Sequence, residues 1–186
     1  MSICSPIKMF DSCSLSYSLY KEQNQRSLLS SSLKIKIIKK IGKGSFGEVF
    51  QVRIQESCLQ RNMKSALKVS RISTSPQSCH KHISSLKKEA QILRKLNEAD
   101  PLDLMPIVRL IRAGDISFRQ FGILECLYPS NLSEYIQKER PLGSSFEETA
   151  LVAYQIFQGL SFLSQIGNSI IHGDIKPENI LVEFNL

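Results

Sequence analysis

The chain has 186 residues, of which 42% are hydrophobic, and it carries a formal net charge of +7. This length suits one ordinary domain or most of a two-lobed domain, and the hydrophobic content excludes a wholly disordered chain. No apolar run is long enough to span a bilayer, and no secretory signal is evident. The five cysteines form no Cys-x-x-Cys pair, which favours reduced thiols and an intracellular protein, cytoplasmic or nuclear.

The positive charge is concentrated in two lysine-rich segments, residues 34–43 and 81–95. A basic chain can bind nucleic acid, an anionic membrane or a phosphorylated ligand. The lysines lack interleaved aromatic residues, so we expect solvated faces, with neither nucleic acid nor membrane as a partner. Cys79, His80 and His82 could ligate a metal ion, but no second ligand cluster lies at zinc spacing, which favours a solvated loop.

The first 32 residues are serine-rich, acid-poor and without periodicity, which predicts a flexible leader. A transit peptide has the same bias, but the segment carries only three cations, so organelle targeting is the weaker interpretation. Beyond the leader, alternating apolar and polar residues or short apolar runs predict five strands, at residues 33–41, 48–54, 64–70, 106–114 and 121–127. Helical spacing predicts three helices, at residues 83–96, 131–138 and 146–167, and residues 71–80 suit a polar loop. This order predicts an α+β protein in which a small mixed lobe precedes a helical lobe.

Residues 42–47 read GKGSFG, a Gly-x-Gly-x-x-Gly spacing that serves phosphate-binding loops, dinucleotide-binding folds and ordinary turns. Phe50, Val52 and Ile54 lie two apart after it, so we expect a strand and not the helix that a dinucleotide-binding turn opens. A P-loop is excluded because no glycine precedes Gly42 at the required spacing and no Ser or Thr follows the lysine. Two interpretations remain: a hairpin whose glycines let backbone N–H groups approach phosphates, and a plain glycine-rich hairpin.

Three motifs occur in a fixed order along the chain: IGKGSFGEV at residues 41–49, ALKV at 66–69 and HGDIKPENIL at 172–181. Together they resemble the glycine-rich loop, the third-strand lysine and the catalytic loop of the eukaryotic protein kinase family. The resemblance covers residues 41–181 and implies an ATP-dependent protein kinase. The lysine two residues after Asp174 is typical of the family's serine/threonine members, so the expected partner is a protein substrate with a Ser or Thr hydroxyl.

The resemblance also implies a fold and a division of the chain. The expected α+β fold is protein-kinase-like: an N-lobe with an antiparallel β-sheet and one main helix, then the first helices and the catalytic loop of a helical C-lobe. The corresponding domains are a flexible leader at residues 1–32, an N-lobe with its hinge at 33–127, and a partial C-lobe at 128–186.

Four residues of the third motif receive roles from the same resemblance. Asp174 is expected to orient the substrate hydroxyl and accept its proton, and Lys176 to neutralise charge on the moving γ-phosphoryl group. Asn179 is expected to give an amide oxygen to Mg²⁺, a hard cation that prefers oxygen ligands. His172 is expected to brace the loop, without a catalytic role.

The nucleotide contacts are likewise implied by the resemblance. Lys68 is expected to bind the α- and β-phosphates while Glu89 of the following helix holds it in place. Adenine is expected to lie between apolar residues of the two lobes, with backbone hydrogen bonds from Glu125 and Leu127 and with Leu124 as the gatekeeper behind it. The expected nucleotide-binding set is Ile41, Gly42, Gly44, Gly47, Val49, Ala66, Lys68, Glu89, Glu125, Leu127 and Leu181.

The sequence departs from the family pattern in two places. Gly173 replaces the arginine that precedes the catalytic aspartate, which predicts a kinase that activation-loop phosphorylation does not control. No Asp-Phe-Gly, the triplet whose aspartate carries the principal Mg²⁺, follows Asn179 within the 186 residues. The expectation is an N-terminal fragment that is inactive by itself. The alternative is a catalytically inactive kinase-like module that binds nucleotide or a partner.

Overall fold

The computed structural model describes residues 7–9, 34–44, 47–55, 62–117, 120–166 and 170–183. These residues form two compact units, which we describe separately. The sheet unit contains the described residues of 20–95 and 109–127, and the helical unit contains those of 1–19, 96–108 and 128–186. No helix among the described residues is long and apolar enough to cross a membrane.

The described residues contain eight strands, three α-helices and one short 3₁₀ turn. The strands are β1 (Ile7–Met9), β2 (Lys34–Lys43), β3 (Gly47–Gln55), β4 (Asn62–Ser70), β5 (Leu110–Ser117), β6 (Gln120–Cys126), β7 (Ser130–Asn131) and β8 (Ile180–Val182). The helices are α1 (Pro76–Ala99), α2 (Leu132–Glu139) and α3 (Phe146–Gln165), and the 3₁₀ turn is Pro177–Asn179. The five predicted strands and three predicted helices are all present, with shifted ends.

The sheet unit is a five-stranded antiparallel sheet in the order β2-β3-β4-β6-β5. Residues directly opposite each other in such a sheet share a face, and the faces alternate along each strand. One face, the apolar face, carries the buried cluster Val52, Ile54, Leu67, Val69 and Leu124, with Phe50 packed against it. The strand expected from the spacing of Phe50, Val52 and Ile54 is thereby confirmed. The opposite face, the Lys68 face, carries Val49, Gln51, Ala66 and Lys68, because Val49 pairs with Lys68 and Gln51 with Ala66.

Helix α1 begins at Pro76, seven residues before the predicted start, so the loop expected at residues 71–80 was wrong for its second half. Proline suits a first helical turn because that turn leaves its N–H groups without intrahelical acceptors. The Ser75 hydroxyl accepts from the Ser78 N–H at 3.5 Å, and Cys79 is buried in line with Leu86 and Leu93. Cys79 is the one buried residue among polar neighbours in this turn, so the spacing of apolar residues does not indicate a helix there. Cys79 is therefore a helix core residue, and the described residues contain no cluster of three metal-ligating side chains.

The helical unit has its own apolar core. Tyr135 of α2 packs with Ile180 and Val182 of β8, and Leu132, Val152 and Ile156 complete the cluster. Helix α3 starts with a capping box, in which the Ser145 hydroxyl accepts from the Glu148 N–H and the Glu148 carboxylate accepts from the Ser145 N–H. Its predicted end, Gly167, lies outside the described residues. Strand β8 pairs in parallel with β1 and antiparallel with β7. Apart from β1, the predicted leader lies outside the described residues, and the domain bounds stay predictions.

Gly47 is the glycine that the sheet requires most clearly. A Cβ built on it would lie 2.3 Å from the Val69 carbonyl oxygen on β4, closer than real contacts allow. We therefore expect Gly47→Ala to push β3 away from β4 and to lower the free energy of unfolding by about 1–3 kcal/mol. Gly114→Ala is the matched control, since nothing lies within 4 Å of the Cβ there. Equal urea-unfolding midpoints for the two variants would contradict this expectation.

Candidate active site

Lys68 and Glu89 form an ion pair in the sheet unit. Lys68 lies on β4 and Glu89 on α1, and the Lys68 Nζ is 2.7 and 2.8 Å from the two Glu89 carboxylate oxygens. The side chains are 22% and 13% exposed, so the pair is largely shielded from water and still accessible. Glu89 is carried to this position because Leu86 and Leu93, on the same side of α1, are fully buried. The expected ion pair is thus present, and it fixes an ammonium group on the Lys68 face.

The glycine-rich segment forms the hairpin between β2 and β3, which confirms the hairpin prediction. The Gly44 N–H donates to the Gly47 carbonyl at 2.8 Å, and the Arg71 guanidinium donates to the Gly44 carbonyl at 2.8 Å. The Gly44 amide therefore closes the hairpin here and is not directed at a ligand. Ser45 and Phe46 lie outside the described residues, and phosphate binding by this hairpin stays a prediction.

The apolar residues expected around adenine are distributed over both units. Val49 and Ala66 lie on the Lys68 face, whereas Ile41 lies at a bulge of β2 and is 44% exposed. Leu127 follows the end of β6. Leu181 is half-buried, because its neighbours in β8, Ile180 and Val182, take the core positions of that strand. Contacts of these residues with a nucleotide stay predictions.

The register of β6 corrects the gatekeeper assignment. Leu124 pairs with Leu67 and belongs to the apolar cluster, so it points away from the Lys68 face. Glu125 pairs with Ala66, and Ile123 pairs with Lys68, so these two side chains lie on the Lys68 face. The expectation that Leu124 is the gatekeeper was therefore wrong, because its two neighbours in the strand face Lys68 and it does not. The sequence concealed the face because every residue from Phe121 to Cys126 is buried, which leaves no polar alternation to count.

Glu125 has an ionisable side chain, whereas the family resemblance gives a role only to its backbone. Its side chain is buried, and glutamate is seldom buried without a charged neighbour. Burial and the nearby Glu89 carboxylate raise the pKa of Glu125 to about 7, against a smaller lowering by Lys68. Glu125 therefore interacts electrostatically with the Lys68–Glu89 ion pair.

The second cluster lies in the helical unit, at the segment that ends in the 3₁₀ turn. Lys176 Nζ is 3.1 Å from Asp174 Oδ2, and Asn179 Nδ2 donates to the same oxygen at 2.8 Å. Asn179 Nδ2 also donates to the Asp174 backbone carbonyl at 2.9 Å. His172 is buried, and its Nδ1 accepts from the Asp174 N–H at 3.3 Å, as expected of a bracing residue. These bonds hold the Asp174 carboxylate in one orientation while leaving its side chain 32% exposed.

The backbone of this loop is unusual at the residue before the aspartate. Gly173 has φ +75°, in the left-handed region that L-residues with a Cβ rarely adopt. The loop can turn there without steric cost because the residue is glycine.

The donor chemistry of this cluster fits the magnesium ion that the resemblance implies. Asn179 contributes an amide oxygen, and Mg²⁺ prefers such hard oxygen ligands. The amide nitrogen of Asn179 is bound to Asp174, which leaves the amide oxygen as its metal-binding atom. Mg²⁺ sites commonly combine one or two protein ligands with water and substrate phosphates, so this one donor is enough to participate in such a site.

A family model described as "Protein kinase domain" matches residues 35–185, most of the chain. The chain belongs to the eukaryotic protein kinase family. The antiparallel sheet with its helix corresponds to the kinase N-lobe, and the helical unit with its catalytic loop corresponds to the start of the C-lobe. The expected fold class is therefore confirmed.

Three curated relatives illustrate the similarity. "Serine/threonine-protein kinase ppk5" of Schizosaccharomyces pombe is 33% identical over 152 residues, which is 81% of this chain and 16% of that protein. "Dual specificity tyrosine-phosphorylation-regulated kinase 3" of Macaca fascicularis is 32% identical over 148 residues, 79% of this chain and 24% of that kinase. "Serine/threonine-protein kinase TIO" of Arabidopsis thaliana is 28% identical over 146 residues, which is 78% of this chain and 10% of that protein. The chain thus spans less than a quarter of the length of each of these kinases.

Proposed function

We propose that this chain belongs to an ATP-dependent serine/threonine kinase domain, which transfers the γ-phosphoryl group of Mg-ATP to a protein Ser or Thr hydroxyl. The observation that carries the proposal is the bidentate ion pair between Lys68 and Glu89. A free lysine side chain is mobile, whereas the Glu89 carboxylate holds this ammonium group at one point of the Lys68 face. Such a fixed cation suits the α- and β-phosphates of a nucleotide.

The residues of the helical unit supply the groups that act on the substrate. Asp174 is positioned to accept the proton of the attacking hydroxyl, since a carboxylate held in one orientation is an effective base. Lys176 places positive charge next to Asp174, where charge on the transferring phosphoryl group needs to be offset. Asn179 holds the Asp174 carboxylate and offers its amide oxygen to magnesium, whose chemistry when bound is to neutralise phosphate charge.

The nucleotide-binding set contains the remaining residues expected from the family. Gly42, Gly44 and Gly47 form the hairpin over the phosphates, and the segment from Glu125 to Leu127 supplies backbone bonds to adenine. Ile41, Val49, Ala66 and Leu181 supply the apolar contacts with the base. We place the protein inside the cell, in the cytoplasm or nucleus, because its cysteines show no disulfide framework.

Binding of Mg-ATP tests the proposal directly. The 186-residue chain is titrated with ATP in the presence of Mg²⁺, with binding followed by calorimetry, and AMP serves as the matched control because it lacks the β- and γ-phosphates. We expect saturable ATP binding with a Kd below about 1 mM and much weaker AMP binding, because AMP offers the fixed ammonium only the α-phosphate and not the β-phosphate as well. Equal binding of the two nucleotides, or none at millimolar concentration, would overturn the assignment.

A second candidate function is a kinase-like module that binds nucleotide without transferring phosphate. The ion pair between Lys68 and Glu89 favours it equally, because a fixed ammonium can hold a nucleotide whether or not phosphate is transferred. The two functions differ in one measurement, phosphorylation of a general protein substrate by the longest polypeptide that the gene encodes. Incorporation of phosphate that requires Asp174 selects the kinase, and ATP binding without incorporation selects the module.

Control of the kinase by activation-loop phosphorylation is not part of the proposed function. The family's arginine before the aspartate can receive that phosphate, and Gly173 has no side chain to do so. We expect the kinase rate of the longest encoded polypeptide to change by less than about twofold after phosphatase treatment. Loss of even one charged hydrogen bond would have a larger effect than that. A loss of tenfold or more would contradict this expectation.

A further inference from the structure

Glu125 is an ionisable residue among the buried residues of β6. Its strand pairs with β4 and β5, and its side chain lies opposite Ala66, on the same face as Lys68. A carboxyl group at this position must either lose its charge or interact with a cation, because burial removes the water that would stabilise it.

The groups that face Glu125 come from three elements. Strand β4 contributes the Lys68 ammonium, and α1 contributes the Glu89 carboxylate, both of which interact electrostatically with Glu125. Strand β5 contributes apolar Leu110 opposite Glu125, whereas Arg112 pairs with Leu124 and so belongs to the other face. The carboxyl group therefore faces one cation, which already has an anionic partner.

We propose that Glu125 is a positioning residue for Lys68: its carboxyl group is the third member of the Lys68–Glu89 cluster, and its ionised form weakens the hold of Lys68 on a nucleoside triphosphate. The inference rests on the proposed function, since the triphosphate is the ligand of that function. An ionised Glu125 attracts the ammonium that a phosphate needs and repels the phosphate itself. A neutral Glu125 leaves Lys68 shared between Glu89 and the ligand alone.

The charge of Glu125 changes near neutral pH. Burial and Glu89 raise the pKa of this carboxyl group to about 7, so it is mostly neutral at pH 6 and mostly ionised at pH 8. A bound triphosphate adds negative charge nearby and raises the pKa further, so binding takes up a proton. Affinity for the nucleotide therefore falls as pH rises through 7.

Nucleotide binding at two pH values tests this dependence. The Kd of Mg-ATP is measured at pH 6 and pH 8 for the wild-type chain, Glu125→Gln and Glu98→Gln. Glutamine keeps the shape of Glu125 without its charge, and Glu98 is an exposed carboxylate that serves as the matched control. For each protein we compare the Kd at pH 8 with the Kd at pH 6. We expect this ratio to be about three- to tenfold larger for wild type and for Glu98→Gln than for Glu125→Gln. Parallel pH profiles for wild type and Glu125→Gln would overturn the inference.

A titration without nucleotide separates this inference from the proposed function. Carbon-13 NMR of the Glu125 carboxyl group is followed over pH in the wild-type chain and in Lys68→Met. We expect a midpoint near 7 in wild type and a higher midpoint in Lys68→Met, since the ammonium lowers the pKa of Glu125. A midpoint near 4.5, or one that Lys68→Met leaves unchanged, overturns the cluster whether or not ATP binds. Absence of ATP binding with the expected midpoints overturns the proposed function and with it the positioning role, while the cluster stands.

Discussion

Asp174→Asn is expected to lower phosphoryl transfer to a protein hydroxyl by about 10²–10⁴-fold, the range that a positioned general base contributes. The asparagine keeps the size of the side chain and an oxygen that can accept from Asn179, but its amide cannot take up the substrate proton. The wild-type carboxylate is 2.8 Å from Asn179 Nδ2 and 3.1 Å from Lys176 Nζ, so its orientation is already fixed before the substrate binds. The loss should therefore fall on the rate of the chemical step.

The measurement is steady-state kinetics on the longest polypeptide that the gene encodes. We expect kcat to fall while the KM for ATP changes less than about threefold, because Asp174 acts on the hydroxyl and not on the nucleotide. Glu139→Gln is the control, since it removes an exposed carboxylate from the same unit without touching the loop. A kcat for Asp174→Asn within threefold of the control would show that this carboxylate is not the base.

Lys68→Met is expected to weaken Mg-ATP binding by about 10- to 100-fold, because a hydrogen bond from a charged donor contributes about 1.5–3 kcal/mol. The ammonium is fixed by both Glu89 oxygens, so little side-chain entropy remains to be lost when a phosphate binds. The variant also leaves the Glu89 carboxylate without this partner on a largely buried surface. Removing that charge as well, in Lys68→Met/Glu89→Gln, should restore part of the stability and none of the affinity.

Calorimetric titration of the 186-residue chain measures both effects when it is combined with thermal unfolding. Lys64→Met is the matched control, because Lys64 lies on the same strand and its side chain is exposed. Lys68 would not be a phosphate-binding residue if both lysine variants bound ATP with the same affinity. Glu89 would not be its positioning partner if Glu89→Gln alone left the affinity unchanged.

Much of this fold could be predicted from the sequence where one side of an element faces a core. Phe50, Val52 and Ile54 alternate with polar residues, so the faces of β3 follow from the pattern. Strand β6 has no such alternation, because both of its faces are covered, and the face of Leu124 could be assigned only from the strand register. Local backbone chemistry explains the other difference: Ser75 and Pro76 start α1 where the apolar spacing had not yet begun.

The residues of the candidate site could likewise be predicted only in part. Ordered motifs identified Lys68, Asp174 and Asn179, because their spacing is specific to a family. No motif in the sequence indicates a role for the ionisable side chain of Glu125. Its importance depends on burial and on the charges brought beside it from β4 and α1, which are properties of the tertiary structure. Sequence periodicity contains no information about which charged neighbours a buried residue will meet.

Gly173 has a consequence for how the catalytic loop keeps its shape. At φ +75° a residue with a Cβ would store about 1–2 kcal/mol of backbone strain, which some outside contact would have to offset. Glycine removes both the strain and the dependence on such a contact. The turn at residue 173 can therefore form without any support from outside the loop.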